Sequence, residues 1–498
     1  MKKTAKIMAS LLTGLVGVIG GMAIPSSSKI QANGQELQVV DRSAEPLIKY
    51  DFLPEEEMPV LGYVALPRAN AGSAGFDGAN NPSFFTMANI EAYKNAGFNI
   101  LSGLYEKEPF HTSEIRKAME LCQQAGIAYF VCDNTYRCDS DRGAIAPRST
   151  ESIIQSMKDK WYLNEASFGG LAVKDEPHYK DLDLMVGVNE ALKELTDGKI
   201  LYTNLFPRYA SEYQTGFSEN AADRSHTSWE NYEKYVRKYV EVVKPDIVAY
   251  DFYVFMQKDA TIESALGTNN IKDIIKGEIN VTDYIKSLSM YREVAKENNI
   301  PFWVTVASYN HRHVSQFTQK QTEWTVNTSL AYGAKGIQYY TYWDSNIGAS
   351  CPDAWENQQE RGLVTLNGSL HDTYYRVKKI NDNIKTVDHV LMKADHKGVI
   401  QFGKQTLALV PEDTLYGYGL LNNIVGGDTF VGCFDLNGKD VYYIVNNSVN
   451  AGPQLFKADF INKVNVRTTN LDGVKEYNDT YSVGFTLSGG EAILLEVL

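Results

Sequence analysis

At 498 residues and a formal net charge of −13, the chain is long enough for two domains and needs no staples for its core. The acidic balance argues against nucleic acid and anionic membrane as partners, and no basic block or phosphate-cradling glycine loop is present. Five cysteines (Cys122, Cys132, Cys138, Cys351 and Cys433) have no metal-ligand spacing, so neither a metal site nor a disulfide framework is expected, although a local Cys132–Cys138 bridge is open.

The chain starts with a charged segment, Lys2, Lys3 and Lys6, followed by an apolar, small-residue run over 7–24 that Pro25 and three serines break. This reads as a secretory signal over 1–32 ending near Ala32, with an uncleaved anchor as the alternative, and places the protein outside the cytoplasm, secreted or at the cell surface. Those residues hold four lysines and no acid, so the remainder carries −17. No later run approaches spanning length. Residues 33–57 form a polar lead-in with room for one strand.

Over 58–392, apolar runs alternate with amphipathic stretches. Strands are predicted at 62–66, 99–105, 127–133, 170–175, 200–206, 246–253, 302–307 and 336–343. Helices are predicted at 87–96, 113–125, 184–194, 229–243, 281–298, 322–334 and 372–391, the last with Tyr375, Val377, Ile380, Ile384 and Val387 on its apolar face. Alternating strands and helices imply a parallel sheet, and eight units imply a closed (β/α)8 TIM barrel. Glycines that end helices at 95–99, 124–128 and 332–336 repeat the same helix-to-strand turn. Beyond Lys393 the period changes. Short alternating runs at 399–402, 415–421, 429–435, 441–446 and 492–497, separated by Gly-Gly, Asn-Gly and Asn-Asn turns, predict a C-terminal antiparallel β-sandwich over 393–498.

The chemistry concentrates where strand four ends. Leu171-Ala172-Val173 stops at Lys174-Asp175-Glu176-Pro177, and strand ends on this face of a barrel carry catalytic groups. The other strand ends add polar and aromatic candidates: Asp133, Asn204, Asp251 with Tyr253, Asn310 with His311, and Tyr342-Trp343-Asp344. Taken singly each has a plain alternative; Trp343 fits a core and Asp133 a helix cap. Asp175 is expected to face away from Glu176 if the strand alternates.

A strand ending in Asp-Glu-Pro resembles the fourth barrel strand of the clan A glycoside hydrolases, whose glutamate is the general acid/base. The segment 329–340, with Gly362-Leu363-Val364, Leu366-Asn367-Gly368, Tyr375 and Ile380-Asn381, resembles family 42 β-galactosidase-like secreted bacterial proteins. The resemblance covers the barrel, about two-thirds of the chain. It implies an oligosaccharide or glycoside substrate, no cofactor, and Glu176 as the acid. The 31 tyrosines suit stacking on sugars. The chain departs from the pattern at strand seven, which ends Thr305-Val306-Ala307-Ser308 where the resemblance implies a second glutamate. Asp251 is the first substitute, ahead of Asp344 and of Glu323, which reads as a helix-start residue behind Thr322. If no partner is in place, the alternative is a non-catalytic carbohydrate-binding or cell-surface protein on the same barrel.

Overall fold

The computed structural model describes residues 50–66, 83–136, 148–255, 277–308, 317–344, 362–365, 367–404, 411 and 413–498. The expected leader, Cys138, Cys351, Asn310 and His311 lie outside them. Eight parallel strands close into a barrel in chain order: β1 (Val60–Gly62), β2 (Ile100–Glu108), β3 (Ala128–Asp133), β4 (Phe168–Asp175), β5 (Ile200–Leu205), β6 (Val248–Asp251), β7 (Phe302–Ala307) and β8 (Ile337–Tyr340). Closure is made by β1, where Leu61 pairs with Ile100 on one side and Gln338 on the other. The first strand lies earlier than the expected 62–66 because the chain turns at Val64, which takes a left-handed φ of 48°.

Around the barrel run α1 (Met87–Asn95), α2 (Thr112–Ala125), α3 (Thr150–Met157), α4 (Val188–Leu195), the single turn α5 (Glu212–Thr215), α6 (Trp229–Val243), α7 (Gly277–Glu297), α8 (Gln319–Ala331) and α9 (Asp372–Leu391). Helix α2 ends on Gly126 (φ 67°), whose N–H caps the Cys122 carbonyl, and the turn after α8 uses Gly333 (φ 92°). Alternate strand residues, among them Ile100, Phe130, Ala172, Tyr202, Ala249 and Trp303, fill the interior. The described end of the lead-in adds no strand. It plugs the floor: Tyr50 and Leu53 pack into that interior, and Trp303 Nε1 donates to the Tyr50 hydroxyl at 3.3 Å.

The C-terminal part is antiparallel: β9 (Asp395–Phe402), β10 (Leu421–Val425), β11 (Thr429–Leu436), β12 (Lys439–Asn446), β13 (Gln454–Asn470), β14 (Gly473–Leu487) and β15 (Ala492–Val497). The first half of β13 pairs with β10 and the second with β15, so this long strand joins the two in one hydrogen-bonded sheet. Period-two alternation gives β12 two buried faces. Tyr442 and Ile444 join the sandwich's own core, while Val441, Tyr443 and Val445 join the barrel core. The docking surface is α8, where Tyr443 donates to Asn327 Oδ1 (2.7 Å) and Trp324 Nε1 to Asn447 Oδ1 (2.8 Å).

Candidate active site at the barrel mouth

Strand β4 carries the site because it is irregular. Ala172 lies opposite Tyr202 and Asp175 opposite Asn204, so two residues of β4, Val173 and Lys174, span the single step made by Thr203. This bulge shifts the alternation by one residue. Ala172 and Asp175, an odd number apart, therefore share the interior, and the expectation that Asp175 turns away from Glu176 does not hold. Glu176 follows with a left-handed φ of 47°, a strained conformation for a non-glycine residue, and its N–H extends the ladder by donating to the Asn204 carbonyl (2.8 Å). Pro177 is fixed from behind, its carbonyl accepting a 2.7 Å bond from the buried Tyr235 hydroxyl.

Three carboxyl groups meet here. Asp175 accepts the Tyr63 hydroxyl at 2.5 Å on one oxygen and Asn204 Nδ2 at 3.3 Å on the other. Asn204 is held in turn by Thr305 of β7, whose hydroxyl donates to its Oδ1 (3.1 Å). Asp251, the last residue of β6, is 3 % exposed, and its Oδ1 has no hydrogen-bond partner among the described residues. Burial, then the charge of Asp175, push its pKa up to about 8, against hydrogen bonding from Tyr253 and Asn204. Glu176 is raised well above the ordinary carboxylate range by burial, then by the charges of Asp251 and Asp175. Asp175 is raised by burial, while its bonds to Tyr63 and Asn204 favour the charged form. Tyrosines form the wall beside these groups: Tyr340 lies 5.2 Å from Tyr63 and 5.6 Å, nearly parallel, from Tyr253 (centroid to centroid).

The structure thus gathers Glu176, Asp251, Asn204 and Tyr253. Other expected site residues have structural employment. Asp133 accepts the Tyr162 hydroxyl (2.8 Å) and the Thr135 N–H (2.7 Å) and pairs with Lys160 (2.8 Å). Beyond the end of β8 at Tyr340, Tyr342 and Trp343 are both fully buried in the packed core. Tyr342 packs on Tyr93 and Phe98, and Trp343 on Phe84 at 4.7 Å. Asp344 accepts the Gly362 N–H (2.6 Å) and pairs with His371 (3.0 Å), which fastens the return to α9. Glu323 pairs with Lys379 (3.2 Å) beside the sandwich, and the cap of its helix is Thr318, not Thr322. Asp175, Tyr63 and Tyr340 are not among the expected site residues; the bulge brings in Asp175, the end of β8 Tyr340 and the end of β1 Tyr63. A cavity of about 360 Å³, lined by Lys193, Lys244, Asp246 and Asn298 among others, is lined by none of the three carboxylates.

No family model matches this chain, and no curated protein matches it. Several solved structures overlap it at low identity. A GH42 β-galactosidase from G. stearothermophilus covers 82% of this chain and 95% of its own at 9% identity and a TM-score of 0.49. An α-amylase from Geobacillus thermoleovorans, complexed with acarbose, covers 90% and 99% at 9% identity and 0.47. A β-galactosidase from the psychrophilic Marinomonas ef1 covers 68% and 62% at 10% identity and 0.42.

Proposed function

We propose that the protein is a glycoside hydrolase in which Glu176 protonates the glycosidic oxygen and Asp251 is the second catalytic carboxylate. The observation that carries this is a half-buried Glu176 just after β4 that shares the barrel mouth with Asp251 of β6, whose charge together with burial raises the glutamate well above the ordinary carboxylate range. Cleaving a glycosidic bond needs an acid that still holds its proton at working pH and a second carboxylate that acts on the anomeric carbon directly or through water. The tyrosine wall supports a sugar ligand, since aromatic faces pack against the C–H side of a pyranose while the amide and carboxyls take its hydroxyls. The expected leader supports action outside the cytoplasm, which N-terminal sequencing of the secreted product would check. Glu176→Gln keeps the shape and removes the proton; turnover of a natural glycoside should fall about 10²–10⁴-fold with folding intact. The assay is a panel of nitrophenyl glycosides and natural oligosaccharides, and wild-type turnover by Glu176→Gln would remove Glu176 as the acid.

One observation favours a second reading. Strand β7 ends Thr305-Val306-Ala307, with Ser308 after it, and offers no carboxylate there, as in a barrel that binds a glycan and does not cut it. Binding of an oligosaccharide with no turnover across that panel would select it.

A further inference from the structure

We infer that Asp175 is a positioning residue: clamped by Tyr63 and Asn204, it carries the standing negative charge of the mouth and thereby keeps protons on Glu176 and Asp251. The inference deepens the glycosidase reading and rests on it for its catalytic meaning, though its electrostatic content stands apart. The geometry is a hydrogen-bonded chain across four strands. Tyr63, just beyond β1, donates to Asp175 on β4; Asn204 on β5 donates to the other oxygen; Thr305 on β7 donates to Asn204 and so fixes which end of the amide faces Asp175. Both donors favour a carboxylate over a carboxylic acid. Asp251 differs, with a buried oxygen that no described residue satisfies.

The groups that face Asp175 are Tyr63 from beyond β1, Lys174 and Glu176 along its own strand, Tyr202 and Asn204 from β5, and Asp251 from β6. Lys174 favours its ionised form. The charges of the three carboxyls act on one another mutually. The donors from Tyr63 and Asn204, together with Lys174, make Asp175 the member that ionises most readily, and its charge then raises both Asp251 and Glu176. A charge parked beside the acid, where it touches no proton in flight, is how a site with three carboxyls stays ready to donate one.

The test is an infrared titration of protonated carboxyl groups in the full chain, with Asp251→Asn identifying the Asp251 band. In the wild type that band should disappear with a midpoint near pH 8. In Asp175→Asn the midpoint should move down by about one pH unit or more, because the amide keeps the shape and deletes the charge. An unchanged midpoint overturns the inference. Should Asp175→Asn fail to fold by circular dichroism, Tyr63→Phe removes only the donor, and the Asp175 band should then persist to higher pH; a titration identical to wild type overturns the inference equally. On any glycoside the enzyme cleaves, the rising limb of kcat/KM should shift in the same direction. If the wild type cleaves none, the glycosidase reading fails, and the infrared midpoints still decide the role of Asp175.

Discussion

Asp251 sits in the folded protein with a pKa near 8, against about 3.9 for an unperturbed aspartate. The sign of the consequence follows from proton counting. Between about pH 4 and pH 8 the unfolded chain has lost this proton and the folded one keeps it, so the contribution of Asp251 to stability is complete below pH 4 and is lost as pH rises through 8. Asp251→Asn should therefore raise Tm by several degrees at pH 8, on the order of 1–3 kcal/mol, and change it little at pH 4. Calorimetric scans at the two values check this, and equal gains at both would mean that Asp251 does not titrate in that window. The same proton governs rate. If Asp251 acts ionised while Glu176 acts protonated, kcat/KM should climb through about pH 8 and fall only where Glu176 ionises. A profile that is already flat at pH 6 would contradict this assignment.

At the scale of single elements, the sequence announces the barrel because its apolar runs and helix-ending glycines repeat, and it announces Glu176 because a proline stops β4 at two acids. It hides Asp175, since nothing in Leu171-Ala172-Val173-Lys174 marks a bulge that reverses the alternation. It hides the end of β8 too: Tyr340-Thr341-Tyr342-Trp343 reads as one strand, and only the structure shows that its second half turns into the core. The β13–β14 hairpin escapes for the opposite reason. Lys457, Lys463 and Arg467 interrupt its apolar pattern because one face of each strand meets solvent. In α9 the buried tyrosine is Tyr374, and Tyr375, expected on the apolar face, is 60 % exposed. Gly170 gives the strand-level prediction. A Cβ there would lie 2.0 Å from the Ile200 carbonyl oxygen, and its φ is 149°. Gly170→Ala should cost more than about 2 kcal/mol in denaturant unfolding, since neither backbone can yield without opening the β4–β5 ladder. Gly452→Ala, where nothing lies within 4 Å, should stay within about 0.5 kcal/mol and serves as the control.

Across the whole molecule, the sandwich is bound into the barrel's own core. From Thr322 to Ala331 every residue of α8 is buried, so no face of that helix is built for water. Its polar side chains depend on the sandwich. Asn327 donates to the Gly490 carbonyl (2.8 Å) and accepts from Tyr443, and Trp324 is satisfied by Asn447. Gly432 lets the sheet approach so closely that a Cβ would lie 2.3 Å from the Ala331 carbonyl oxygen. Burial of Phe430, Phe434, Val441, Tyr443, Val445 and Leu494 in the barrel core adds an apolar face that would otherwise meet water. A chain cut after Ala394 should therefore fail as a soluble barrel even though Glu176, Asp251 and Asp175 all precede the cut. It would expose to water a helix face built for the sheet and strip Asn327 and Trp324 of their partners, and the apolar area uncovered costs about 25 cal/mol per Å². The measurement is expression and size-exclusion of the truncated and full chains side by side, with far-ultraviolet circular dichroism of whatever remains soluble. Aggregation of the truncated chain is the expected result; a monomer with native helical content and full activity would show that the barrel is complete without the sheet.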